Sequence, residues 1–242
     1  MKIIIIFFAF LIFNLCEAAQ KPTLRVEVAG ATTGYNFFRI PNENANTRFD
    51  LPTNAWLPIY RIYASIPVSE KWGLRFLYAP LTVNYSYQSP VVSVFNNTSF
   101  AANTPLTAGY KFNSYRVSII RHVEESADFK WHWGFTAKIR DAYITVSDGA
   151  TTLRKDDLGF VPLLNLGLDW SFLNSFILSF DIDGLAGGPG RAFDGRLDVQ
   201  YKVIEKTKVG LGYRFVEGGA VITAVNNFAL FHALLLSAEY EI

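Results

Sequence analysis

In the stretch FDGRLDVQYK, residues 193 to 202, Phe193, Gly195, Leu197, Val199 and Tyr201 fall on one side of an extended chain. Asp194, Arg196, Asp198, Gln200 and Lys202 fall on the other. Alternation this clean marks a strand lying between two different surroundings, because successive side chains in a strand point to opposite faces. Nine more segments repeat the pattern. They run from Leu24 to Phe38, from Trp56 to Ile66, onward from Trp72, and from Thr107 to His122. FKWHWGFTAKIRDAYITV, Leu158 to Trp170, SFILSFDID, KVGLGYRFV and the run from Phe228 to the C-terminus complete the set. The pattern predicts an all-β chain of about ten antiparallel strands, with eight to twelve as the bracket.

The connections alternate in character. VSEK, EESAD, Leu173-Asn174 and IEKT are short. NENANTRFDLPTN, the Asn/Ser/Pro-rich residues 84 to 105, SDGATTLRKDD, GLAGGPG and EGGAVITAVNN are long or glycine-rich. An even strand number puts both chain ends on the short-turn side. A transmembrane antiparallel up-and-down β-barrel has this layout, with short turns at one rim and longer loops at the other.

Aromatic residues on the apolar face give a second test. Trp72, Trp131, Trp133, Trp170, Tyr201 and Tyr240 map to the short-turn end, and Trp56, Tyr60 and Tyr78 to the other. Two such belts, separated by aliphatic rows, suit the two interfaces of a bilayer, where an apolar ring with a polar tip is best placed. The opposite face carries Arg61, Arg75, Arg116, Lys130, His132, Lys138, Arg140, Asp169, Asp181, Asp183, Asp194, Arg196, Asp198 and Arg214. A lipid-facing Arg or Lys near the midplane costs about 2–4 kcal/mol, so this face is expected to line the lumen. Basic residues gather on the second to fifth strands and acids on the sixth to eighth, so opposite signs can pair across a narrow bore. Three readings stay open: an ion-pair plug, a small polar conduit, or a catalytic site in the lumen or at the rim. Pro58, Pro80 and Pro162 are the objection to a closed barrel, which has no edge to host them.

Composition narrows the classes. Hydrophobic residues make up 50% of the chain and aromatics 16%. The opening MKIIIIFFAFLIFNLCEAAQ has the layout of a secretory signal cleaved near Ala18 or Ala19. Residues 1–19 are therefore expected as a removed leader and 20–242 as one barrel domain exported to a bacterial outer membrane. A lipoprotein signal acylated at Cys16 is the alternative, against which Leu15 is not small. Cys16 is the only cysteine, so no disulfide and no thiolate metal site are expected in the mature chain. A net charge of +1 gives no reason to propose nucleic acid. His122 and His132 lack a carboxylate constellation at metal-ligand spacing, so neither a metal nor a cofactor is expected. GLAGGPGRA is not followed by a helix and is not a phosphate cradle.

His232, in FALFHALLLS, falls on the outward face near the long-loop rim and is the one weak catalytic candidate. Chemistry there needs a hydroxyl nucleophile within reach of the base and an acid orienting it. Two positions on stands Leu234, so no local motif supports it.

KIRDAYI, DLGFVPLL, DIDGLAGGPGRAFD, VGLGYRFVEGGA and NNFALFHALL together resemble a family of bacterial outer-membrane β-barrel proteins, broadly porin-like and of unassigned function, over residues 130 to 242. The resemblance implies the barrel and its compartment, and supplies no substrate or catalytic residue. Such barrels usually close on an aromatic residue; here Tyr240 is third from last and Ile242 is terminal. The expectation is a monomeric barrel in contact with lipid and with the barrel-assembly machinery, structural or small-solute-conducting, with a charged and largely plugged lumen. The rivals are an outer-membrane enzyme acting on lipid or peptide at the extracellular rim, and a soluble lipocalin-like binder with the two faces exchanged.

Overall fold

The computed structural model describes residues 21–43, 47–53 and 56–242. The expected leader, with Cys16 and its cleavage site, lies outside the described residues. Among the described residues there are fourteen strands and no helix: β1 (Thr23–Arg39), β2 (Phe49–Asp50), β3 (Trp56–Pro67), β4 (Trp72–Ala79), β5 (Thr82–Gln88), β6 (Ser93–Phe95) and β7 (Thr98–Phe100). The rest are β8 (Pro105–Glu124), β9 (Phe129–Ser147), β10 (Thr152–Leu173), β11 (Phe176–Gly187), β12 (Gly190–Ile204), β13 (Thr207–Ile222) and β14 (Val225–Glu241). β4 and β5 both pair with β8 and form one stave interrupted at Pro80. β14 returns to pair with β1, so ten antiparallel staves close into a barrel. Closure satisfies the backbone amides between strands and leaves no edge at mid-height.

The register fixes the stagger. Followed sideways from Trp56, hydrogen-bonded neighbours run through Thr32, His232, Phe215, Gly195, Ile182, Leu166, Trp133, Arg121 and Trp72. Trp72 then accepts from the amide of Val68, twelve residues beyond the start. Such a stagger tilts the strands by about 40° to the barrel axis and leaves a bore that side chains can fill.

The face assignment follows the expected alternation. Leu197, Val199, Leu211 and Leu236 stand outward, with Leu211 64% exposed, while Asp194, Asp198 and Arg214 on the same strands are buried inside. An exterior this apolar is suited to hydrocarbon.

Two of the connections expected to be long are tight turns, and the glycine-rich GLAGGPG is one as well. SDGATTLRKDD and EGGAVITAVNN stay in the β9–β10 and β13–β14 ladders up to Ser147↔Thr152 and Ile222↔Val225, and GLAGGPG pairs up to Gly187↔Gly190. Polar composition there reflects strands continuing into water, so the asymmetry between the two ends lies largely in strand height. Among the described residues, the segment carrying β6 and β7 is a true loop. In it, Asn96 and Asn97 take φ of 49° and 65°, the left-handed pair that a two-residue hairpin turn requires.

The prolines sit where the wall is split. β3 pairs with β4 only from Ile62 onward, so Pro58 has no neighbour on that side, and Pro80 breaks the opposite stave at the same height. β10 outruns β11 above Leu164↔Gly184, which leaves Pro162 beside an unpaired edge. The missing amide of each proline can therefore face a gap in the ladder.

Candidate functional site

The bore contains three layers. At mid-height is a buried ionic network. Asp194, on β12, accepts from Arg61 of β3 and Arg116 of β8, each at 2.5 Å, and also from Arg214 of β13. Arg116 reaches Asp183 of β11 at 2.7 Å. Glu27 of β1 accepts from Arg214 at 2.8 Å and from Arg25 at 3.0 Å, and Arg25 donates to Asp198 at 2.8 Å. Arg196 donates to Asp198 and to Ser179. Tyr63 accepts from Arg61 and Arg214, and Asn165 and Thr136 donate to Asp183. These side chains come from strands on opposite arcs of the wall, so the network braces the cylinder across its diameter. Charges removed from water in this way need partners with good geometry, since an unpaired one costs several kcal/mol.

Below it, towards the end carrying the termini, lies a chamber of ≈ 530 Å³. Arg75 spans it to Asp181 with two hydrogen bonds of 2.7 and 3.3 Å, and His132 reaches the same carboxylate at 3.0 Å. The rings of His122 and His132 lie 5.8 Å apart. Lys208 pairs with Glu239 at 2.9 Å and Lys21 with Glu241 at 2.8 Å.

Above the network the interior is apolar. Phe38 and Phe49 stack with centroids 4.8 Å apart, and Phe95 of the β6–β7 hairpin meets both edge-on. Leu57, Leu81, Val83, Tyr85, Tyr110, Val146 and Phe231 pack around them. The amide of Asn96 donates to Ile40 O at 2.9 Å, holding the hairpin down over the mouth. Sequence reading gave this inner face a charged lining throughout. At these heights the inner face is apolar, because it meets a folded-in loop rather than water.

Of the fourteen residues expected to line the lumen, Arg61, Arg75, Arg116, His132, Asp181, Asp183, Asp194, Arg196, Asp198 and Arg214 are joined by the contacts above. Lys138 is 2% exposed beside them but makes no ion pair among the described residues; its amine lies 4.4 Å from the Phe112 ring centroid. Lys130 is exposed and pairs with Glu124 across the short turn at 2.7 Å, where its hydrogen bond holds the Glu124 carboxyl below its usual range. Arg140 stands higher, with Asp157. Asp169 faces the chamber with no ion pair among the described residues. Arg25 and Glu27 belong to the network and were not among the residues expected to line the lumen, because no further charge follows them on the first strand until Arg39 to mark a cluster.

Outside, Trp56, Tyr60, Trp170, Tyr201 and Tyr240 are exposed. Tyr60 packs edge-on with Tyr78, and Trp72 with Trp133, which belong to the two belts at opposite ends of the wall. Trp131 donates to Glu125 in the short turn at 3.2 Å. His232 does face outward, and its Nδ1 meets the Tyr213 hydroxyl. Its other nitrogen lies over Gly34, where the β1–β14 register shifts and a Cβ would come within 2.7 Å. No serine contact to His232 is present among the described residues.

No protein-family model matches the chain, and no curated protein does. Among solved structures, the outer membrane protease OmpT from Escherichia coli is similar with a TM-score of 0.58 at 9% identity, over 95% of this chain and 99% of that one. Neisserial surface protein A (NspA) gives 0.38 at 15% identity, over 93% and 100%. Ail, the attachment invasion locus protein of Yersinia pestis, gives 0.40 at 8% identity, over 92% and 99%. The closed ten-stave antiparallel wall, with its apolar outside and ionic bore, is thus the fold of a bacterial outer-membrane β-barrel protein.

Proposed function

We propose that the protein is a structural element of a bacterial outer membrane, a barrel whose bore is sealed rather than conducting. The observation that carries this reading is the stacking of two unlike barriers. An ion crossing the bore would have to break the Arg61–Arg116–Arg214–Asp194 cluster and then traverse the Phe38–Phe49–Phe95 layer. Neither barrier offers the other's solvation. On this reading the chain is exported by its N-terminal leader, inserted by the barrel-assembly machinery, and surrounded by lipid as a monomer. The end carrying the termini then faces the periplasm, and the tall β8–β9–β10 sheet faces outside. The apolar exterior disfavours a soluble lipocalin-like binder. The enzyme reading lacks a nucleophile beside His232.

Single-channel recording in planar bilayers tests the proposal. Purified, refolded protein is expected to insert without discrete current steps. Reproducible ohmic openings from the unmodified chain would replace it with a small-solute pore.

A further inference from the structure

The chamber at the terminal end is built from paired charges with one exception, and the exception has a sign. Every cation lining it already has a carboxylate: Arg25 has Asp198 and Glu27, Arg75 has Asp181, Lys208 has Glu239, and Lys130 has Glu124. Arg196 has Asp198, and Lys21 has Glu241. Asp169 is the one lining carboxylate with neither an ion pair nor a side-chain hydrogen bond among the described residues. Its cross-strand neighbours are Lys130, turned away to Glu124, and Ser179, which accepts from Arg196. His122, also on the chamber wall, has no hydrogen bond from its ring among the described residues. Every cation of the chamber is turned to a carboxylate, so the one lining charge left without an ion pair among the described residues is negative, and the His122 imidazole stands on the same wall.

We propose that this chamber is a binding site for a small organic ammonium ion, held by Asp169 through a charge-assisted hydrogen bond. An ammonium brings three donors and a positive charge. It therefore supplies the charge and the hydrogen bond that Asp169 lacks among the described residues, whereas an anionic ligand would meet cations already paired with carboxylates. A volume of ≈ 530 Å³ falls within the range of pockets that hold small molecules, and the ionic layer above closes its inner end. Access from the periplasm rests on the orientation proposed above. The site itself does not, and a conducting bore would overturn that proposal without touching this one.

Isothermal titration calorimetry on the full folded chain in detergent micelles tests the site, with putrescine as probe and succinate as the anionic control of similar length. Putrescine is expected to bind saturably at one site and succinate not at all. Asp169→Asn is expected to weaken putrescine at least tenfold. Glu124→Gln, at the exposed end of β8, removes a second lining carboxylate and frees Lys130 to turn to its cross-strand neighbour Asp169, and should weaken binding in the same direction. Saturable putrescine binding weakened in Asp169→Asn supports the proposal. No saturable heat from putrescine, equal binding of succinate, or an affinity unchanged in Asp169→Asn overturns it.

Discussion

Arg116 and Asp194, 78 positions apart in the chain, meet at 2.5 Å in the middle of the bore. β8 and β12 never touch along the wall, so this contact and its neighbours are what join the two arcs. Beneath the apolar packing of the upper bore, the barrel gains a cross-brace whose members are charged.

Asp194→Asn keeps the shape of the side chain and leaves three guanidiniums around a neutral amide. The expected loss is about 3–5 kcal/mol, the usual cost of orphaning a buried charge. It should be read as a lowered urea midpoint in micelles, followed by unheated gel migration. A midpoint unchanged from the parent would mean that the arginines do not converge on this carboxylate.

The two barriers predict an interaction between mutations. Replacing residues 89–104, which carry β6 and β7, by a short Gly-Ser turn is expected to leave bilayers silent, because the ionic layer still closes the bore. Adding Arg116→Ala and Asp194→Ala together should produce current steps. Conductance after the loop replacement alone would make the apolar layer the only seal.

Depth in the bilayer gives a graded prediction on the outward face of β12. Leu197, 47% exposed at mid-height, becomes a lipid-facing charge in Leu197→Arg and should cost about 2–4 kcal/mol of folding free energy into vesicles. Val203→Arg, on the same face beside the β12–β13 turn, should cost about 0–1 kcal/mol. Equal costs at the two positions would contradict a hydrocarbon band around the wall.

His232→Ala is expected to leave the membrane lipid profile unchanged by mass spectrometry. The imidazole is held by the Tyr213 hydroxyl, and no serine contacts it among the described residues. Tyr213→Phe should cost about 1 kcal/mol through the lost hydrogen bond. A changed acylation pattern in His232→Ala would revive a lipid-directed activity.

The period-two pattern was sufficient for the number of staves, their direction and which face is greasy, because those depend on local alternation alone. The opposed signs on Arg61, Arg75 and Arg116 against Asp181, Asp183 and Asp194 were also legible, and the structure pairs them. What sequence could not show was height. Lys130 and Asp169 have the parity of lumen residues, but the stagger places them towards the end carrying the termini, beside the short turns. Leu81, Val83 and Tyr85 have the parity of lumen residues too, and they meet a loop whose return over the mouth no local signal announces. Arg25 and Glu27 required the closing register between β1 and β14, which is a property of the whole cylinder.

The run of β10 from Thr152 to Leu163, paired with β9 but not with β11, rises beside a β11–β12 hairpin that ends at Gly187↔Gly190. The parapet is therefore lopsided. Anything gliding in the plane of the surface meets a raised sheet from one compass direction and a low sill from the other. The molecule has a front and a back even though its cylinder is round, and two copies rotating freely in a membrane would not be equivalent neighbours at every bearing.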